Sequence, residues 1–440
     1  MGSSDHVADF RSNESLSSAQ STTVEWLLAR VAGAAAPPLS LDDMISPSWR
    51  SQAVAQLAVE MAVSLASGCS VEGVRKRPDG EVHCLLKDPR GRQRELFLTF
   101  EGPRSGRLSR LSTAPTLAEG VEVRPPRPED IEAMTELELA APVVRDDGTE
   151  VIIDHNGKQF DHQRLVREHR LLGAFRDGRM LAVQGVGVAT APIGGTVYRL
   201  AGFHYSRSDP RSRNAGNLMH LIATLNRDVF PQVDQFLSFV DAQNAVGLRL
   251  SFGMPWPTRV HRLFLPVSAL TARQNARPRY REFDAEHVAT LLNITHEGMN
   301  LWVPRTPRFL VQRHHRAPAV YRPECWRITD HAALALWPSG ERRIYRKDGK
   351  ETVRTLALAI DYGFDGRKGR DELTGLLCEA AREVVGQGFS HIAVFISDGH
   401  PATQWLADLA DASDVYAICA PSLEDPAPPS GPVYMDHILF

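Results

Sequence analysis

The sequence predicts a mixed α+β chain of several domains: a small helix-plus-meander domain, then two mixed-sheet units with the same order of elements. Three observations predict it. The chain has 440 residues, room for two or three domains. Four short runs of alternating apolar and polar residues follow one another, separated by turn signals. Beyond residue 118, strands alternate with amphipathic helices, and the order of elements recurs in the last third.

Residues 1–22 are polar and Ser-rich and read as a disordered tail. "TVEWLLARVAG" is amphipathic and helical. "SPSWRSQAVAQLAVEMAVSLASG" has a Ser cap, helical periodicity and a closing Gly68. The runs "SVEGVRKR", "EVHCLLKD", "RQRELFLTFE" and "GRLSRLST" then make a meander, because "PDG", "PRGR" and "GPRSG" between them are turn chemistry. This domain spans 23–118.

The first mixed-sheet unit spans 119–270. "GVEVRPPRPEDIEAM" runs from a strand into a helix with acids in its first turn, where they suit the dipole. "HQRLVREHRLL" reads as a second helix, "LLGAFRDGRMLAVQGVGVATA" as a hairpin over "RDG", and "GGTVYRLAGFHYS" as a longer strand. A helix begins inside "DPRSRNAGNLMHLIATLNRDVF", residues 209–230. "QFLSFVDAQN" is the next strand, "AVGLRLSF" a short helix and "TRVHRLFLPV" a closing strand. The second unit, 278–440, repeats the order: helices over "DAEHVATLLNITHEGMNLW" and "TPRFLVQRHHR", and strands at "CWRITD", "AALALWP" and "VRTLALAIDYGF". The helix "RDELTGLLCEAAREVVGQG", the strand "SHIAVFIS", the short helix "PATQWLADLAD" and the strands "VYAICAP" and "VYMDHILF" complete it.

Composition narrows the function. A net charge of −3 gives no support for nucleic-acid binding. No apolar run is long enough to span a bilayer and no basic-then-apolar leader opens the chain. Five scattered cysteines without a CxxC pair point away from a zinc site or a disulfide framework, and free thiols suit the cytoplasm. The oligomeric state is not readable. Adjacent His314 and His315 in "QRHHRAP" point to different sides of a helix, so no metal is expected there. His155, Asp161 and His162 also lack metal spacing.

The 209–230 stretch carries the chemistry. Arg211, Arg213, Asn214, Gly216 and Asn217 crowd the mouth of a helix, whose first-turn N–H groups have no intrahelical partner and favour an anion. The plain alternative is a helix cap on a solvated loop.

The pattern Arg213-Asn-Ala-Gly216-Asn-Leu218, following a strand and opening a helix, resembles the signature of the GNAT superfamily, the acyl-CoA-dependent N-acyltransferases. Pro210 before it, Leu221 and Ile222 after it, and Asn244-Ala-Val-Gly247 beyond the next strand fit the same resemblance. It covers about 121–267 by motif and about 280–440 by element order. It implies acetyl-CoA or another acyl-CoA, or a carrier thioester, as donor and a small-molecule or peptide amine as acceptor, with two GNAT-like units, the second degenerate. The pantetheine arm would lie along Phe203 and Tyr205. The pyrophosphate would lie on Arg211, Arg213, Asn214, Gly216 and Asn217, and Asn244 would complete the site. Leu218 departs from the family's Gly or Ala, and Ser251 stands where a Tyr acid is frequent. His204 and Asp241 are the candidate catalytic groups, with a packed histidine and a helix-capping aspartate as the plain readings. Near Arg367, Lys368 and Arg370 no signature lines up, and Asp371 and Glu372 would repel a pyrophosphate. A non-catalytic CoA-binding or regulatory protein, or another thioester reaction on the same fold, are the rival functions.

Overall fold

The computed structural model of the chain describes residues 16–37, 39–165, 168–250, 254–273, 278–420 and 431–434, with the backbone alone at 53, 165, 213–215, 246, 249–250 and 254. Its elements begin with α1 (Ser18–Val31), α2 (Leu41–Met44) and α3 (Gln52–Ala66), then β1 (Ser70–Lys76), β2 (Val82–Lys87), β3 (Gln93–Phe100) and β4 (Leu108–Pro115). Next come β5 (Glu122–Arg124), α4 (Ile131–Ala140), β6 (Val143–Val144), β7 (Glu150–Asp154), α5 (Gln159–Leu165), β8 (Glu168–Arg176), β9 (Arg179–Ile193) and β10 (Thr196–Ser208). They are followed by α6 (Asn217–Val229), β11 (Gln235–Asp241), α7 (Ala245–Leu250), β12 (Met254–Pro266) and α8 (Val267–Ala272). The last third holds α9 (Ala285–His296), α10 (Pro307–Arg316), β13 (Trp326–Ile328), β14 (Ala332–Lys347), β15 (Lys350–Phe364), α11 (Gly366–Val385), β16 (His391–Ser397), α12 (Thr403–Ala407) and β17 (Ala412–Ala420).

The chain forms two compact bodies. The first holds residues up to Pro126, Arg170–Gly185 and Tyr205–Phe236. Its four-stranded sheet runs β1-β2-β3-β4, every neighbour antiparallel, which is the expected meander. Helix α1 starts at Ser18, inside the expected tail, because Ser17 and Gln20 form a capping box. Helix α6 has two apolar faces. Ala223 packs with Phe97 and Ala114 of the meander. Leu221 packs with Ala174 and Ala182, flanked by Leu218 and Leu172. The expected small N-terminal domain is therefore the support for one face of α6.

The second body holds Arg127–His169, Val186–His204 and Leu237–Phe440. Its sheet runs β11-β17-β12-β16-β15-β14-β7-β6. All pairs are antiparallel except β15 and β16, which are parallel and joined by α11. The stretches 119–270 and 278–440 exchange strands in this sheet. β12 sits between β16 and β17, and β7 pairs with β14, with Ile152 opposite Ile344. Strand alternation separates two cores. Leu263, Leu265, Ala357 and Ala359 face α11 and α8, including Leu373, Leu376, Leu377 and Leu270. Phe264, Leu356, Leu358 and Ile360 face α9 and α10, including Val288, Leu292 and Leu310.

Several elements differ from the sequence expectation. The helix expected over 162–172 ends with α5, and Glu168 already begins β8. The strand β7 was not foreseen. β14 and β15 reach Lys347 and Lys350, far beyond the apolar runs that announce them. Residues 1–15 and most of the expected last strand, 435–440, lie outside the described residues.

Candidate functional site

In the first body the signature forms a tight mouth to α6. Residues 210–215 make a 3-10 turn, and Gly216 caps α6 at φ +72, the left-handed region that glycine enters freely. A second reason for glycine is steric. A Cβ at Gly216 would stand 2.5 Å from Pro115 Cβ, at the end of β4. The Pro115 carbonyl is 2.9 Å from His220 Nδ1 on α6, which fixes the meander's end at this spot. A Gly216→Glu substitution would therefore not spare the fold. Any side chain at 216 strains the backbone and strikes Pro115.

Asp209 organises the turn. It is buried, and its carboxylate accepts from the Arg211 backbone N–H at 3.0 Å, from Arg211 Nε at 3.2 Å and from Arg179. Arg211 is thus anchored at Nε, while its side chain stays 70% exposed, with the rest of the guanidinium open to an anion. Asn217, the first residue of α6, is 1% exposed, and neither its Oδ1 nor its Nδ2 has a hydrogen-bond partner among the described residues. A buried carboxamide with both polar atoms unmet costs several kcal/mol and calls for a ligand or water. The side chains of Arg213 and Asn214 lie outside what the structure describes. Tyr205 interrupts β10 in the left-handed region at φ 54, which a non-glycine residue adopts rarely within a strand.

Phe203, His204, Asp241 and Asn244 belong to the second body. Burial pushes His204 down to about 3, helped by the nearby His169, against a hydrogen bond with the Val186 backbone. The ring is therefore neutral at physiological pH and a feeble base. Asp241 is clamped. Its Oδ2 accepts from Arg145 Nε at 2.9 Å and its Oδ1 from the Gln243 N–H at 2.9 Å. It closes the turn into α7, whose cap is Asn244, accepting from the Gly247 N–H at 2.9 Å. Ser251 lies outside the described residues.

Asp241 is one end of a buried ionic network that sequence reasoning missed. Arg145 also binds Asp414 at 2.6 Å, and Asp414 accepts from the Tyr345 hydroxyl at 2.8 Å. Arg343 reaches Asp414 at 3.9 Å and donates to Glu341 at 2.7 Å. Arg262 grips Glu341 with both terminal nitrogens, at 2.8 and 3.0 Å. Burial alone would raise the Glu341 carboxyl, but Arg262 and Arg343 hold it well below the usual range. Three arginines and three carboxylates balance in charge, and the cluster ties β11, β12, β14 and β17 together.

Beyond Glu341, ring nitrogens of His155 and His162 and one of its carboxylate oxygens lie within 4.8 Å of one another. The two arginines on Glu341 oppose a divalent ion there. His155 Nδ1 is 2.6 Å from Glu138 Oε1. The "QRHHR" histidines do not converge: His314 takes the Trp326 Nε1–H at 3.2 Å, and His315 is exposed. Cys84 is a buried thiol, pushed up to about 12 by burial alone. At the start of α11, Arg367, Lys368 and Arg370 are exposed. Lys368 and Arg370 border a cleft of about 760 Å³ with Arg273, Arg279 and Trp405. No helix among the described residues is long and apolar enough to cross a membrane.

No protein-family model matches the chain, and no curated protein matches it. Solved structures do. An N-myristoyltransferase of Saccharomyces cerevisiae with bound myristoyl-CoA is 11% identical, over 70% of this chain and 84% of that one, with a TM-score of 0.45. A GCN5-related N-acetyltransferase of Sphaerobacter thermophilus is 14% identical, over 69% and 96%, with a TM-score of 0.43. A probable N-acyltransferase of Enterococcus faecalis V583 is 12% identical, over 68% and 71%, with a TM-score of 0.37. These scores and identities are low, and the functional reading stands on the chain's own residues.

Proposed function

We propose that this protein transfers an acyl group from an acyl-CoA thioester to an amine. The observation that carries the reading is the α6 mouth: a left-handed Gly216 followed by a buried Asn217 whose carboxamide has no partner among the described residues. The first-turn N–H groups of α6 would receive the pyrophosphate, with Arg211 adding a charge-assisted bond. Reaching Asn217 requires the 210–216 turn to shift, so binding is coupled to that turn. Phe203 and Tyr205 on β10 would lie along the pantetheine arm, where the break at Tyr205 leaves backbone unlike that of a regular strand. Attack by the amine on the thioester carbonyl then needs mostly positioning and removal of one proton.

The non-catalytic reading draws on His204 and Asp241, since the first is a feeble base and the second is clamped by Arg145. One assay separates the two. The chain is incubated with acetyl-CoA or myristoyl-CoA and a panel of primary amines and amine-bearing peptides, and free CoA thiol and amide product are measured. Stoichiometric thiol and amide supports transfer. Tight acyl-CoA binding with neither product supports the non-catalytic reading, and no binding at all removes both.

A further inference from the structure

We propose that the cleft beside the start of α11 binds a small organic carboxylate with an apolar body, a ligand class separate from acyl-CoA. The cleft encloses about 760 Å³, within the usual span of small-molecule sites. All the residues lining it belong to the second body. Arg273 follows α8, Arg279 precedes α9, Lys368 and Arg370 stand in the first two turns of α11, and Trp405 is on α12.

The walls are held before any ligand arrives. The turn between β13 and β14 is tied to α11 twice. The Glu372 carboxylate accepts from the His331 N–H at 3.0 Å, and the His331 carbonyl accepts from the Asp365 N–H at 2.9 Å. Gly369 permits this approach, since a Cβ there would strike the His331 carbonyl oxygen. The Arg273 carbonyl accepts from Arg382 Nη2 of α11 at 2.9 Å, which fixes the chain at the end of α8.

The charges that line the cleft do not cancel. Asp330 pairs with Arg281 at 3.2 Å, and Glu372 with Lys368 at 3.8 Å. Arg273, Arg279 and Arg370 have no carboxylate at ion-pair distance among the described residues. The remaining acids of the lining are Asp371 and Asp408, and Asp408 already accepts from Gln404 Nε2 at 2.9 Å. Three cations against two anions leave one positive charge in excess. A monoanion matches that excess, whereas a phosphate dianion would meet Asp371 and Asp408. A carboxylate also presents two coplanar oxygens to a guanidinium fork.

Trp405 and its neighbours set the rest of the ligand. Trp405 is 5% exposed, the Arg370 guanidinium lies over its ring at 5.4 Å from the centroid, and its Nε1–H has no acceptor among the described residues. Stacking steadies Arg370 and leaves the edge of its guanidinium for a carboxylate. Pro278 and Leu409, both half-buried, add apolar surface for the ligand's body. A ligand oxygen would relieve the unmet indole donor with a small shift of α12, a helix of five residues.

The test follows para-fluorobenzoate by fluorine NMR on the full chain. Saturable binding is expected. Benzoate and hexanoate should displace the probe, and inorganic phosphate, benzylamine and acetyl-CoA at the same concentration should not. Arg273 and Arg370 are exposed, so Arg273→Gln and Arg370→Gln should leave the urea midpoint unchanged and each weaken binding about tenfold or more. On the unaltered protein, benzoate should slow amide exchange over 366–376 and 403–411 and leave 205–222 unchanged, which locates the ligand without any variant. The proposal is overturned by a lack of saturable binding, by equal competition from phosphate, or by displacement with acetyl-CoA. Protection that spares both 366–376 and 403–411, or unchanged affinity in both arginine variants, overturns it as well. It does not rest on acyl transfer, and a chain that acylates no amine leaves this test intact.

Discussion

Replacing Asn217 by leucine should move stability and ligand affinity in opposite directions. The two side chains have nearly the same shape, so packing at the start of α6 is kept. In the free protein the carboxamide is 1% exposed and both polar atoms are unmet among the described residues. Removing a buried unsatisfied group recovers about 1–3 kcal/mol, and Asn217→Leu should raise the free energy of unfolding of the free protein by an amount in that range. With acyl-CoA bound, the same carboxamide would donate to a phosphate oxygen. A hydrogen bond to a charged group contributes about 1.5–3 kcal/mol, so the variant should bind acyl-CoA about 10- to 150-fold more weakly. Urea unfolding of the free protein and calorimetric titration with acetyl-CoA and myristoyl-CoA measure the two quantities. Lower stability with unchanged affinity would refute the reasoning, because it would make Asn217 a satisfied structural residue.

Three further outcomes are expected. Glu341→Gln leaves Arg262 and Arg343 buried without their carboxylate and should cost about 3–5 kcal/mol in urea unfolding; a loss within experimental error would show that the network is solvated. Gly216→Ala should cost about 2–4 kcal/mol, combining a left-handed alanine with the overlap on Pro115. An unchanged urea midpoint would mean the turn relaxes freely. Burial holds His204 at about 3 and His400 at about 4, below the unfolded value of about 6.5, so the unfolded chain binds more protons in acid and stability falls as pH drops below that value. Each should contribute about 2 kcal/mol of loss between neutrality and pH 5, and His204→Leu should remove its share, whereas a flat urea profile from pH 7 to 5 would contradict both burials.

Legibility in the sequence follows from how local the determinants are. The meander β1 to β4 is readable because each strand alternates and each break carries glycine or proline. The βαβ passage through β15, α11 and β16 is readable from the strength of the α11 pattern. The second half of β14 is not. "GERRIYRK" looks like solvated surface, and Glu341 and Arg343 become core residues only because Arg262, 79 residues away from Glu341, completes the charge balance. β7 is short, and its partner strand lies far along the chain. The strand exchange around β12 is a long-range property that element order does not reveal. At the candidate site, the glycine and the helix start are written locally. The neutralisation of Asp241 is not, since Arg145 lies 96 residues away. The His155 and Glu138 pair is separated by only 17 residues, but on different elements, and the signal in the sequence is no more than a histidine after "EVIID".

The measurement that bears most directly on the central claim is amide hydrogen exchange with and without acyl-CoA. Acetyl-CoA and myristoyl-CoA are each added at saturating concentration, and peptides covering 205–222 and 363–376 are followed. The account predicts slowed exchange at 205–222, around Tyr205, Gly216 and Asn217, and no change at 363–376, where Asp365 stands at the N-cap of α11 and Asp371 and Glu372 follow in its second turn. Protection at 363–376 alone, or at neither segment with both ligands, would contradict the assignment of acyl-CoA to the mouth of α6.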